Sequence, residues 1–177
     1  MNFFLIRVFL ISFIFFIFTS ISSGFELKTK YALVTYDNET VLKKFNKEVK
    51  LGSLSYLLKN KHSLSIEDEV KNKIDVIVER VQTILEMFSK DLTFNMVFMA
   101  SEKDVQNIFK NKYGKDVDYI AFYSPKDKTI YLSIRDIELG VLAHEIAHVV
   151  IDHYYGISTP SKIHEVLAQY VETHLKE

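Results

Sequence analysis

The chain has 177 residues, with 22 basic and 23 acidic side chains and a formal charge of −1, so it offers no positive field to hold nucleic acid. A composition that is 48% apolar and 14% aromatic supports a packed core and excludes a disordered chain. There is no cysteine, which excludes disulfides and any lipid-bearing thiol.

Residues 3–18 are almost wholly apolar, with Arg7 near their start, and small polar residues follow as far as Gly24. That is the pattern of a secretory signal peptide, cut after Ser22 or Ser23. If the segment were retained, the uncharged run from Val8 to Phe25 would reach the lower end of what spans a bilayer, roughly 18 residues. Residues 3–21 would then associate the protein with a membrane. Either way, residues 1–23 are expected to place a single domain, residues 24–177, outside the cytoplasm: periplasmic, secreted, or anchored and facing outward.

Within that domain, residues 27–36 read as one strand, rich in Tyr, Val and Thr. Asn38 can cap a short helix over about 39–50 that turns Val41, Leu42 and Phe45 inward. Residues 51–63 read as a short apolar turn and then a loop, with His62 facing solvent. Ser65 opens the longest helix. Its apolar positions Ile66, Val70, Ile74, Ile77, Val81, Ile84, Leu85 and Phe88 recur at threes and fours, and Glu67, Asp68 and Glu69 suit its positive first turn. It carries no chemistry and reads as the backing helix of the core. Leu92 to Met99 reads as a strand, and Ser101 with Asp104 opens a helix that Gly114 ends. Residues 119–123 and 129–133 form the arms of a β-hairpin turned by Ser124 to Lys128. Asp136 is expected to cap a helix from about Ile137 to Tyr154, stopped by Gly156. A last helix, entered through Thr159 and Pro160, runs to about Leu175.

The chemistry concentrates on residues 141–150, VLAHEIAHVV. His144 and His148 are four apart and share one helix face, where both imidazoles can bind one zinc ion. Glu145, about 100° round the helix, can reach a water on that metal without joining the ligands, which is the position of a general base. Two histidines and a glutamate on an otherwise apolar helix would be costly to bury without such partners. A catalytic zinc needs a third protein ligand and one open position. His153 is five residues past His148, about 140° round the helix, and so is expected to face away. Glu165 is better placed, because the last helix can fold back across the break at 156–160 and aim it at the histidines. A His2Glu set completes a known catalytic zinc sphere.

These two stretches, residues 141–150 and EVLAQY at 165–170, resemble the gluzincin group of zincin metallopeptidases and, within it, small peptidase-MA-like domains. The resemblance spans roughly residues 118–175. It implies an α+β, zincin-like fold: a small mixed sheet with an edge hairpin packed on an active-site helix, a backing helix and a C-terminal ligand helix. It implies His144, His148 and Glu165 as zinc ligands and Glu145 as the base. It also implies Thr129–Ser133 as the edge strand along which a peptide or protein substrate pairs. Some gluzincins carry an Asp four residues after the ligand Glu to orient a histidine. Here that position is Gln169, and either Gln169 or Glu172 is left to take its place. The expected function is a zinc-dependent peptidase in which Glu145 takes the proton of a metal-activated water. The neutral donor to the oxyanion would come from Tyr123, Tyr131, Tyr155, Tyr170 or His164. The alternative is a catalytically inactive zincin-fold domain that binds zinc or a protein partner in the cell envelope.

Overall fold

The computed structural model describes residues 24–156 and 160–175. The targeting segment at 1–23 and the expected cap Thr159 lie outside those residues. Among the described residues no helix is long and apolar enough to cross a membrane.

The chain forms an α+β fold with a five-stranded mixed sheet and five α-helices among the described residues. In place of one strand over 27–36 there are two, β1 (Phe25–Lys28) and β2 (Ala32–Tyr36), paired antiparallel. The Thr29 hydroxyl oxygen accepts the N–H of Tyr31 at 3.0 Å and of Ala32 at 2.8 Å. The carboxylate of Asp75 accepts the N–H of Lys30 at 3.1 and 3.3 Å. The reversal is held by a side-chain hydroxyl and by a carboxylate 45 residues away, so its backbone groups are satisfied without Gly, Pro or Asn.

Helix α1 (Glu39–Glu48) starts where Asn38 accepts the N–H of Val41, and it buries Val41, Leu42 and Phe45 as its spacing requires. A 3-10 turn over Gly52–Leu58 leads to α2 (Ile66–Leu85), capped by the Ser65 side chain on the N–H of Asp68. Val70, Ile74, Ile77, Val78 and Val81 on α2 have no exposed surface, which makes this helix the spine of the core. It stops at Glu86, in the left-handed region with φ 53°, so Phe88 falls beyond it and stands 66% exposed. Two charged residues of α2 are also buried. Lys73 reaches the carbonyls of Asn46 and, at 2.7 Å, Val49, closing the end of α1. Asp75 holds the β1–β2 turn.

After β3 (Phe94–Met99) comes α3 (Glu102–Tyr113), capped by Ser101 and ended by Gly114 at φ 69°. The hairpin of β4 (Ala121–Ser124) and β5 (Thr129–Ser133) follows. The strand order is β1-β2-β3-β5-β4, with β2, β3 and β5 parallel and β1 and β4 antiparallel at the two edges. This corrects the expected edge. Thr129–Ser133 is interior, paired with β3 on one side and β4 on the other, and the free edge belongs to Ala121–Ser124. Ile130, Leu132 and Ser133 are fully buried, and a strand covered on both faces belongs inside a sheet.

Helix α4 (Leu139–Tyr155) begins two residues later than the sequence suggests. Asp136 is not its cap; Glu138 holds that position and makes no side-chain capping bond. Its apolar face, Leu142, Ala143, Ile146, Ala147 and Ile151, is fully buried. It ends at Gly156, whose φ of 61° lets its N–H return to the carbonyl of Asp152. Helix α5 (Ser161–His174), with Pro160 at its N-cap, packs on α4 through Ala168 and Val171. Arg80 of α2 donates to the carbonyls of His174 and Leu175, tying down its far end.

Candidate metal centre

Burying one face of α4 fixes what the other presents. His144 and His148 stand one turn apart with ring centroids 4.9 Å apart and ring planes at 79°. Helix α5 brings Glu165 across them. One Glu165 oxygen is 3.5 Å from His144 Nε2 and the other is 3.6 Å from His148 Nε2. One ligand atom from each of the three residues lies within 4.8 Å of the other two. Ligands roughly 2.05 Å from a tetrahedral zinc are separated by about 3.3–3.4 Å. The two His–Glu distances are near that spacing, so the donor set fits a divalent metal. Burial, with His144 and His164 close by, holds the His148 imidazole down to about 4, so at neutral pH its ring is uncharged and keeps a lone pair for a metal.

The other nitrogen of His144 is also engaged. Its Nδ1 is 3.5 Å from an oxygen of Glu172, two turns beyond Glu165 on the same face of α5. Gly140 lies against that side chain: a Cβ there would be in ordinary contact, 3.4 Å from Glu172 Cγ and 3.5 Å from Oε1. Of the two residues that could orient a histidine, the structure brings Glu172 to His144 and leaves Gln169 exposed.

Glu145 stays outside the three-residue group. Its carboxylate accepts the N–H of Tyr123 on edge strand β4 at 2.7 Å. Burial pushes its carboxyl up to about 7; the Tyr123 hydrogen bond opposes that rise and the nearby charge of Glu165 adds to it. The Tyr123 hydroxyl donates to Asp152 at 2.8 Å, so one residue ties the edge strand to α4 at two points.

A cleft of about 580 Å³ opens beside the group, between the β4–β5 turn, the second half of α4 and the start of α5. His153, in the last turn of α4, lines it with Nδ1 3.0 Å from the Ser89 hydroxyl. The cleft runs along α4 past the motif, so a residue turned away from the histidine pair still borders it. His153 is not part of the metal-ligating group. The ring of His164 also lines the cleft and lies 5.7 Å from that of His148 at 27°. Among the tyrosines proposed to stabilise an oxyanion, Tyr123 and Tyr131 have their hydroxyls committed to Asp152 and Asp127. Tyr155 and Tyr170 are exposed and do not line the cleft, and Tyr170 stacks on His174. The sequence reading missed the Glu145–Tyr123 bond, because nothing local links a backbone N–H to a side chain 22 residues later. It also missed the part played by Asp152; its position one turn beyond His148 was the available signal.

Compared with known proteins, the chain matches no family model, no curated protein and no solved structure.

Proposed function

We propose that the protein is a zinc-dependent peptidase of gluzincin type, with His144 and His148 binding the metal through Nε2, Glu165 completing the set, and Glu145 as general base. The observation that carries this reading is the convergence of three ligand atoms within 4.8 Å beside a half-buried carboxylate that is not one of them. A zinc ion held there would supply Lewis acidity and lower the pKa of a water. The chain's own residues supply the rest. Glu145, next to His144 in the chain and outside the ligand group, is the carboxylate that would exchange a proton with that water. The Tyr123 N–H holds that carboxylate in place, and Glu172 fixes the orientation of the His144 ring. A polypeptide substrate is favoured because the free edge β4 borders the cleft, where an extended chain can add as a further strand. On the same reading, residues 1–23 carry the domain out of the cytoplasm.

Two measurements test the proposal. Elemental analysis of the purified protein is expected to find one zinc per chain, and the Glu165→Ala variant should lose it. Hydrolysis of dye-labelled casein should fall by about 10²-fold or more in Glu145→Gln while zinc stays bound. Unchanged hydrolysis in that variant would end the mechanism, and a folded protein that takes up no zinc would end the metal site.

A further inference from the structure

A peptide bond cut in the cleft beside the metal-ligating group needs one more partner. As water adds to a carbonyl carbon, negative charge gathers on the carbonyl oxygen, and a hydrogen-bond donor already aimed at that oxygen lowers the barrier. The side chains lining the cleft decide which donor is free to do this.

Two of them are engaged. The Tyr123 hydroxyl donates to Asp152, and His153 Nδ1 is paired with the Ser89 hydroxyl. Thr93 and Lys128 also line a neighbouring cavity of about 420 Å³, so they stand where the cleft runs on toward the starting ends of β2, β3 and β5. Ser161 is exposed at the first position of α5. His164 differs from all of these. It is half-buried, it lines the cleft, and its ring lies 5.7 Å from that of His148 with the planes at 27°. Among the described residues neither of its ring nitrogens has a hydrogen-bond or ion-pair partner.

Its mounting suits such a donor. His164 sits in the first turn of α5, where its backbone N–H donates to the Pro160 carbonyl. It directly precedes Glu165, so the packing that docks that carboxylate on α4 docks this ring as well. A group carried on a packed helix is held more precisely than one on a loop. An imidazole has an N–H in either protonation state, so it can donate a hydrogen bond without giving up a proton.

We infer that His164 is a catalytic residue whose ring N–H donates a hydrogen bond to the oxygen of the scissile carbonyl. No proton changes hands in that contact; Glu145 remains the group that takes the proton of the attacking water. The inference rests on the peptidase reading above.

The test uses the full-length protein with zinc supplied, as the parent, as His164→Ala, and as His164→Gln, which keeps an N–H donor. The probe is a phosphinic tetra-alanine, in which a –PO2–CH2– unit replaces the central amide and sets an anionic oxygen where the carbonyl oxygen would be. Isothermal titration calorimetry is expected to show His164→Ala binding it roughly 10–100-fold more weakly than the parent, the cost of losing a hydrogen bond to a charged group. His164→Gln should recover part of that loss. The kcat for dye-labelled casein should fall by about 10²-fold in His164→Ala. Zinc affinity, measured by competition with a chelator, should be unchanged, because His164 is outside the ligand group. Retained zinc also shows that α4 and α5 are still docked. Unchanged casein turnover in His164→Ala, unchanged affinity for a probe that the parent binds, or a loss of zinc that accounts for either, would overturn the inference. A zinc-loaded parent that neither binds the phosphinic peptide nor hydrolyses casein removes the peptidase reading and the inference with it. The two failures are distinct, because one is seen in the variant and the other in the parent.

Discussion

Replacing Glu172 by Gln tests whether the second carboxylate of α5 works through the histidine it faces. The isosteric change keeps the shape of the side chain and removes its charge from beside His144 Nδ1, 3.5 Å away. A ligating histidine is neutral, so the carboxylate acts by accepting the Nδ1–H behind the metal, and glutamine keeps only a neutral acceptor there. Losing such a partner costs about 10–100-fold in metal affinity. The Glu172 side chain is 48% exposed, which puts the loss at the low end, roughly tenfold or about 1.4 kcal/mol. The assay is competition for zinc against a fluorescent chelator at fixed pH. Circular dichroism of the metal-free proteins verifies that the fold is intact. Affinity equal to that of the unmutated protein would show that the His144 ring is held without Glu172, and the two-sided grip of α5 on this histidine would be wrong. Gly140→Val supplies an independent approach to the same contact. A Cβ there would already touch the Glu172 side chain, with Cγ at 3.4 Å, so the added methyls should displace it and metal affinity should fall although no charged or ligating residue has changed.

Other expectations follow from the same geometry. In the metal-free protein, the Glu145 carboxyl sits at about 7 against an ordinary 4.5. The fold therefore keeps a proton the unfolded chain releases, and stability is lost as pH rises from 4.5 to 7, by about 3 kcal/mol. His148 works the other way: held at about 4 against 6.5, it costs stability as pH falls from 6.5 to 4. The two slopes oppose each other in the parent, so urea unfolding of metal-free Glu145→Gln should become more stable relative to the parent from pH 4.5 to 7; parallel profiles would refute the burial argument. Lys128→Gly should stabilise the fold by about 0.5–1 kcal/mol, the relief of left-handed strain less the added chain entropy, read as a higher urea midpoint. A lower midpoint would mean that the lysine side chain contributes packing the strain argument omits.

What was legible in the sequence divides by the distance over which each signal acts. Asn38, Ser65, Ser101, Gly114 and Gly156 mark helix ends through contacts within a turn of themselves, and the structure has a helix end at each. The β4–β5 turn was equally local. The reversal at Thr29–Tyr31 was not, because Asp75 completes it from another helix. Strand order was out of reach for a related reason. Both hairpin arms are apolar, and only the parallel pairing of β5 with β3 decides which arm is left at the edge. At the site, His144, Glu145 and His148 are legible because one helical turn relates them. Glu165 was legible because a short break forces a helical hairpin. The choice between Gln169 and Glu172 required knowing how α5 is rotated against α4, which sets Glu172 beside His144 Nδ1 and leaves Gln169 exposed.

The arrangement also shows why the two helices of the hairpin work as one device. Glu165 and Glu172 are seven residues apart and so share a face of α5, and together they meet His144 at both ring nitrogens. Among the described residues of α5, His148 is met by the Glu165 carboxylate and the His164 ring. A small rotation of α5 would therefore disturb metal ligation and histidine orientation together. The helix resists that rotation through buried Ala168, Val171 and Leu175 and the two bonds from Arg80 to its final carbonyls. A metal shared between α4 and α5 would add a cross-link between them, coupling its binding to the docking of α5. Glu145 is spared that dependence. It takes its position from the Tyr123 N–H on the edge strand, so on the proposed reading the base is braced by the sheet and the metal ligands by the helix hairpin.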